Sequence, residues 1–303
     1  MPLHLPPLSR RQFLGRSLAG GAALLLSRRL FAAAARSADP HCWALLSDTH
    51  IAADKAKIAR EINLTDRLAT VVQEVLAWDK KPAGALVNGD LSLNSGETGD
   101  YATFAELILP LRAAGIPLHL GLGNHDNRER FWAALQQDKR VSAPIEEKQI
   151  CIVRAARANW FILDSLDKTL STPGILGAAQ LAWLAKSLDA NSDKPALVMT
   201  HHNPSTGGNK NGLVETEAFF EILRSRRQVK AYLFGHSHKW SVEQDSSGIH
   251  LINLPATSYP FDKLQPTGWV AANLQPQGVR LELRALDRAH AAHGQVHNLK
   301  WRG

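Results

Sequence analysis

Five short stretches of this 303-residue chain bring together side chains that bind metal ions: Asp48-Thr49-His50, Asn88-Gly89-Asp90, Gly123-Asn124-His125-Asp126, His201-His202 and Gly235-His236-Ser237-His238. They offer carboxylate oxygens, amide oxygens and imidazole nitrogens but no thiolate, a donor set that suits iron, manganese or zinc. Seven candidate ligands stand out, namely Asp48, His50, Asp90, Asn124, His201, His236 and His238. That is more than one ion takes from a protein, and a carboxylate such as Asp90 can bridge two. In D-x-H and H-x-H the ligands stand at i and i+2, so an extended segment points both to one face. His201 is preferred to His202 because it directly follows a strand ending at Thr200. Each stretch alone is ordinary turn composition, since Gly, Asn and Asp dominate turns for conformational reasons. Their joint placement carries the argument.

Past residue 39 short apolar runs alternate with longer amphipathic ones. Strands are expected over 41–46, 83–87, 117–120, 150–155, 160–163, 196–199 and 229–234, and helices over 60–78, 101–114, 128–137, 178–188 and 215–224. The last third holds strands over 241–244, 249–253, 269–273 and 279–283, separated by turn-rich segments without helices. An α/β fold with an antiparallel finish follows. The five metal-binding stretches each come just after a strand, where open α/β sheets place their ligands.

The ordered set D-x-H, G-D, G-N-H-D, H and G-H-x-H resembles the signature of the calcineurin-like metallophosphoesterases over residues 43–259. The run from Gly89-Asp90-Leu91-Ser92 to Gly123-Asn124-His125-Asp126 is most similar to the cyclic-nucleotide phosphodiesterase and glycerophosphodiesterase branch. The resemblance implies two packed mixed β-sheets flanked by helices, a four-layer αββα sandwich. It also implies that Asp48, His50 and His238 hold one metal, Asn124, His201 and His236 a second, and that Asp90 bridges. Two ions about 3.5 to 4 Å apart can bind a bridging water, lower its pKa toward 7 and clamp the phosphoryl oxygens, so that this hydroxide attacks phosphorus. His125 would then protonate the leaving alcohol, with Asp126 orienting its ring. Many relatives read H-H-P-P where this chain has His201-His202-Asn203-Pro204, a departure on the substrate side.

Charge narrows the substrate. The net charge of +7 drops to +1 without residues 1–37, which hold six arginines and no acid. A nearly neutral body disfavours a nucleic-acid groove and favours small phosphodiesters; a monoesterase, a nuclease or a silent phosphate-binding protein are the alternatives. Ser9-Arg10-Arg11-Gln12-Phe13-Leu14, the apolar run 17–26 and Ala32 to Ala35 resemble a twin-arginine export signal. Residues 1–38 are thus expected to engage that export machinery and 39–303 to form the phosphoesterase domain, periplasmic or secreted. The apolar run is too short to span a bilayer.

Other features carry less. Cys42 and Cys151, both at strand starts, are expected as buried thiols, bridged only if those strands are neighbours. Gly121-Leu122-Gly123 opens like a dinucleotide loop but continues into ligand candidates, and the sequon Asn63-Leu64-Thr65 falls in an expected helix. His290, His293 and His297 read as a solvated tail. Loops 54–60, 92–100, 203–212 and 255–263 should rim the site, while Lys210, Lys239 and Arg128 read as surface charges.

Overall fold

The computed structural model describes residues 37–135, 144–206 and 210–303, together with the backbone of His4–Leu5. Apart from His4–Leu5, residues 1–36 of the basic leader expected over 1–38 lie outside the described residues. So do the last positions of the helix expected over 128–137, and residues 207–209 of the loop over 203–212.

The early strands are β1 (His4–Leu5), β2 (Asp39–Leu46), β3 (Ile58–Ala59), β4 (Ile62–Asn63), β5 (Pro82–Asn88) and β6 (Leu118–Gly121). They are followed by β7 (Cys151–Arg154), β8 (Asn159–Ile162), β9 (Ala196–Met199) and β10 (Val229–Phe234). The chain finishes with β11 (Ser241–Gln244), β12 (His250–Asn253), β13 (Gly268–Gln275), β14 (Gly278–Ala285) and β15 (Val296–Lys300). The helices are α1 (Leu64–Ala77), α2 (Thr98–Ala113), α3 (Arg128–Leu135), α4 (Ala178–Ala190) and α5 (Thr216–Arg224).

One sheet runs β1-β6-β5-β2-β13-β14-β15 and the other β11-β12-β10-β9-β8-β7. Both are mixed, with β2, β5 and β6 parallel in the first and β8, β9, β10 and β12 parallel in the second. The period-2 alternation of each strand builds three cores. Trp43 and Leu45 of β2 face Trp160, Leu197 and Met199 across the gap between sheets, with the Trp43 and Trp160 rings 5.6 Å apart. Ala44 and Leu46, on the opposite face of β2, pack with Leu68, Val72, Phe104 and Ile108 of α1 and α2. Phe161, Val198 and Tyr232 turn outward from the second sheet onto Leu184, Leu188, Phe219 and Leu223 of α4 and α5. The result is the expected four-layer αββα arrangement.

Three expectations need correction. The helix foreseen from residue 60 begins at Leu64, because β3 and β4 form a small hairpin and Asn63 caps the helix, its Oδ1 accepting from the Asp66 N–H at 3.1 Å. The Asn63 side chain is thus a cap, which explains the sequon in helix-forming sequence. The finish is not wholly antiparallel, since β12 runs parallel to β10 while pairing antiparallel with β11. The foreseen histidine tail contains β15, paired along β14, with the His297 ring edge-on to Trp240 at 5.7 Å. Cys42 and Cys151 lie in different sheets, and both are free thiols.

Candidate metal centre

All five ligand-bearing stretches emerge at one end of the sandwich, after β2, β5, β6, β9 and β10. Backbone hydrogen bonds lace them together: Asp48 N–H donates to the Gly89 carbonyl at 3.1 Å, His50 N–H to Asp90 at 2.9 Å, and Gly235 N–H to His201 at 2.9 Å. Ser258 donates to the Asp48 carbonyl through both its backbone N–H and its hydroxyl. Glycines let the loops approach closely. A Cβ on Gly89 would sit 2.7 Å from the His201 ring and from the Gly123 nitrogen, and its φ of +74° is itself a glycine conformation.

The side chains converge as the sequence predicts, though by a different backbone route. Asp48, His50, Asp90, His236 and His238 all have positive φ, between 48° and 63°. D-x-H and H-x-H are therefore kinked through the left-handed region and not extended. Each such residue costs about 1 to 2 kcal/mol, strain of the kind that persists where surrounding structure enforces it.

Three overlapping groups of donors result: His50, Asp90 and His125 link the other two, which are Asp48, His50 and His238, and Asp90, His201 and His236, each with donor atoms within 4.8 Å of one another. Asp90 stands between them, its Oδ2 3.3 Å from His201 Nε2 and 3.6 Å from His50 Nε2. His238 Nε2 lies 3.1 Å from His50 Nε2 and 3.3 Å from Asp48 Oδ1. Carbonyls fix the histidine tautomers: a carbonyl only accepts, so His238 Nδ1–H donates to Tyr259 and His201 Nδ1–H to Asn88. In the neutral ring each Nε2 is then a lone pair turned inward, the arrangement that outer partners impose on metal-binding histidines.

Several observations show that these residues fit metal ions. Asn124 Oδ1 is buried with no hydrogen-bond partner, and so is His201 Nε2. Burial is the strongest influence on Asp48 and would raise it, yet His238 and His201 outweigh it and hold Asp48 near 2. Asp90 is likewise held well below the usual carboxylate range by His201 and His50 against burial. Burial keeps His50 and His236 neutral, at about 4 each. Burial opposes protonation of His201 as well, but the Asp90 and Asp48 charges push it up to about 10. A buried site with two ionised carboxylates thus draws in a positive charge, and cations satisfy that demand with every ligand in its binding form.

Two neighbouring residues divide the work of the G-N-H-D stretch. His125 is half-buried, edge-on to His50 with ring centres 5.0 Å apart, and its backbone N–H donates to Asp90 Oδ1 at 2.8 Å. Its ring Nδ1 pairs with the Asn94 carbonyl at 3.0 Å and not with Asp126, which corrects the expected orienting role. A tight turn, Asp126 N–H to the Gly123 carbonyl, folds the Asp126 side chain under the loop. There it accepts from the backbone N–H groups of Gly123, Leu91 and Ser92 and from the Tyr101 hydroxyl. Asp126 therefore clamps the Asp90 loop to the Asn124 loop.

His201 joins the donor cluster, whereas His202 Nδ1 pairs with Ser165 Oγ at 2.8 Å. Arg128 is not a free surface charge: its guanidinium holds Asp164 through two bonds of 2.7 and 3.0 Å. Lys239 lines a cleft of about 480 Å³ with Asn203, Ser237 and Phe234. Tyr259 and Phe261 lie in the loop over 255–263 that is expected at the rim, but no motif there singles them out. Tyr259 stacks on His50 at 5.2 Å and Phe261 on His238 at 4.0 Å.

A calcineurin-like phosphoesterase profile matches residues 44–240. The chain belongs to the calcineurin-like phosphoesterase family. It is 29% identical over 242 residues to a probable cyclic nucleotide phosphodiesterase of Synechococcus, covering 78% of this chain and 88% of that protein. It is 28% identical over 222 residues to the 3′,5′-cyclic adenosine monophosphate phosphodiesterase CpdA of Pseudomonas aeruginosa, covering 71% and 76%. The fold is similar to a dimetal phosphatase from Danio rerio, with TM-score 0.64 and 16% identity over 87% of this chain and all of that one. It also resembles a purple acid phosphatase from yellow lupin, with TM-score 0.60 and 15% identity over 85% of this chain and 52% of that one. The family and the donor cluster make this phosphoesterase a metal-binding hydrolase.

Proposed function

We propose that this phosphoesterase hydrolyses phosphodiesters of small molecules, cyclic nucleotides foremost, at a two-metal centre. The observation that carries the reading is the position of Asp90, one oxygen within 3.6 Å of histidines from the groups around Asp48 and His201. Asp48, His50 and His238 would hold one ion, Asn124, His201 and His236 the other, and Asp90 both. When bound, the metals supply an activated water and neutralise charge on the phosphoryl oxygens. The names of the relatives above favour cyclic nucleotides among the possible diesters, and the near-neutral body favours a small substrate.

The chain's own residues complete the chemistry. His125 is anchored at Nδ1 by the Asn94 carbonyl, which leaves Nε2 to hold and deliver a proton at the departing oxygen. Its backbone N–H fixes Asp90 Oδ1, so that carboxylate has Oδ2 turned to the histidines. Mixed nitrogen and oxygen donors suit manganese, iron or zinc. We further propose that residues 1–38 direct export and that 39–303 is the working domain, a reading supported by the six arginines and absent acids of the first 37 residues.

The test is turnover of 3′,5′-cyclic AMP and bis(p-nitrophenyl) phosphate by manganese-loaded protein, beside His125→Ala. The wild type should hydrolyse both, and His125→Ala should lose roughly 10²- to 10⁴-fold in kcat while keeping its metal. Cleavage of phosphomonoesters alone would overturn the diesterase reading.

A further inference from the structure

The rim beside His238 carries an arrangement that the metal chemistry does not use. β3 and β4 form a hairpin whose two-residue tip, Arg60 and Glu61, has φ of 50° and 69°. Tips of this shape ordinarily hold Asn-Gly, because other side chains are strained there. Here the strained tip sets the Arg60 guanidinium 5.1 Å from the centre of the Phe261 ring and 5.4 Å from that of Tyr259. Those same rings stack on His238 and His50. Phe261 is 53% exposed, Arg60 is exposed, and among the described residues Arg60 has no carboxylate partner. An unpaired guanidinium is thus backed by aromatic faces, open to solvent and one ring away from a metal-binding histidine.

We propose that Arg60, backed by Phe261 and Tyr259, is the platform on which the base of a nucleotide stacks while its phosphate occupies the metal centre. The inference rests on the phosphodiesterase reading and adds the residues that select the substrate. A guanidinium is planar and weakly hydrated, so it stacks on a base as readily as on an aromatic ring. On a free side chain such a plane is mobile; the two rings and the strained hairpin hold this one in place. The step from His238 to Phe261 is 4.0 Å and from Phe261 to Arg60 5.1 Å, which sets the platform within a nucleoside's reach of the ligand cluster. A point charge for a second anionic group is the competing use of Arg60, and lysine separates the two because it keeps the charge without the plane.

The test is calorimetric titration of the manganese-loaded protein with adenosine 5′-monophosphate and with ribose 5-phosphate, which differ only in the base. The wild type should bind the nucleotide at least about tenfold more tightly, as stacking energies imply. Arg60→Lys should cut that preference below about threefold, and so should Arg60→Asn, whose residue accepts the left-handed tip. Equal affinity of the wild type for both compounds, or full preference retained by Arg60→Lys, would overturn the proposal. The affinity ratio needs no turnover, so loss of the diesterase reading would register separately in the hydrolysis assay.

Discussion

At the scale of single residues, the metal centre is built from side chains that can bind an ion and from backbone carbonyls that aim them. Asp48, His50, Asp90, His201, His236 and His238 come together in the structure, and Asn124 offers a buried, unpartnered oxygen. What aims three of the histidines is a backbone carbonyl, from Asn88, Asn94 or Tyr259, and a carbonyl has no side-chain signature. Asp126 shows the same limit, since a carboxylate next to a functional histidine invites an orienting role that the turn geometry withholds. Its burial, and behind that the Asp90 charge, raise its pKa to about 7, while the backbone donors around it favour the ionised form. Asp126→Asn places an amide donor against those N–H groups, and the expected cost is about 1 to 3 kcal/mol of stability. Urea unfolding checks this; a variant with unchanged stability but reduced kcat would instead restore the orienting role.

At the scale of elements, strand and helix cores were legible from period and composition, and the misreadings cluster where short-range turns override period. The Arg60–Glu61 tip and the Asn63 cap stand inside what scans as one amphipathic helix, because Ile58 and Ile62, like Leu64 and Leu68, stand four residues apart. β15 was hidden by its three-histidine surroundings and its exposed edge position. The loop junctions carry a prediction of their own: Gly89→Ala adds a Cβ against His201 and Gly123 at positive φ, so manganese affinity should fall at least about tenfold, measured by competition with a chelator. A second prediction belongs to β2. Burial, its largest influence, pushes the Cys42 thiol up to about 11. The fold therefore favours the protonated form, and this contribution is complete below the unfolded thiol's pKa near 8.5 and lost as pH rises toward 11. Between pH 8 and 10.5 the wild type should lose up to about 2 kcal/mol more than Cys42→Ala, read by urea midpoints at the two pH values.

At the scale of the whole molecule, two mixed sheets serve one purpose, bringing the carboxyl ends of β2, β5, β6, β9 and β10 to a single edge. The first sheet supplies Asp48, His50, Asp90 and Asn124, and the second supplies His201, His236 and His238, so neither the group around Asp48 nor the group around His201 is complete without both sheets. The inter-sheet core around Trp43 and Trp160 thereby sets the distance between the halves of the metal centre. Residues 39–303 hold both sheets except β1, and should unfold with the same midpoint as the full chain in a thermal melt. The most direct test of the two-metal centre is metal stoichiometry by inductively coupled plasma mass spectrometry after manganese loading and desalting. Two ions per wild-type chain, falling to one or none in Asp90→Ala, is the predicted result. A single ion in the wild type, or two retained without Asp90, would contradict it.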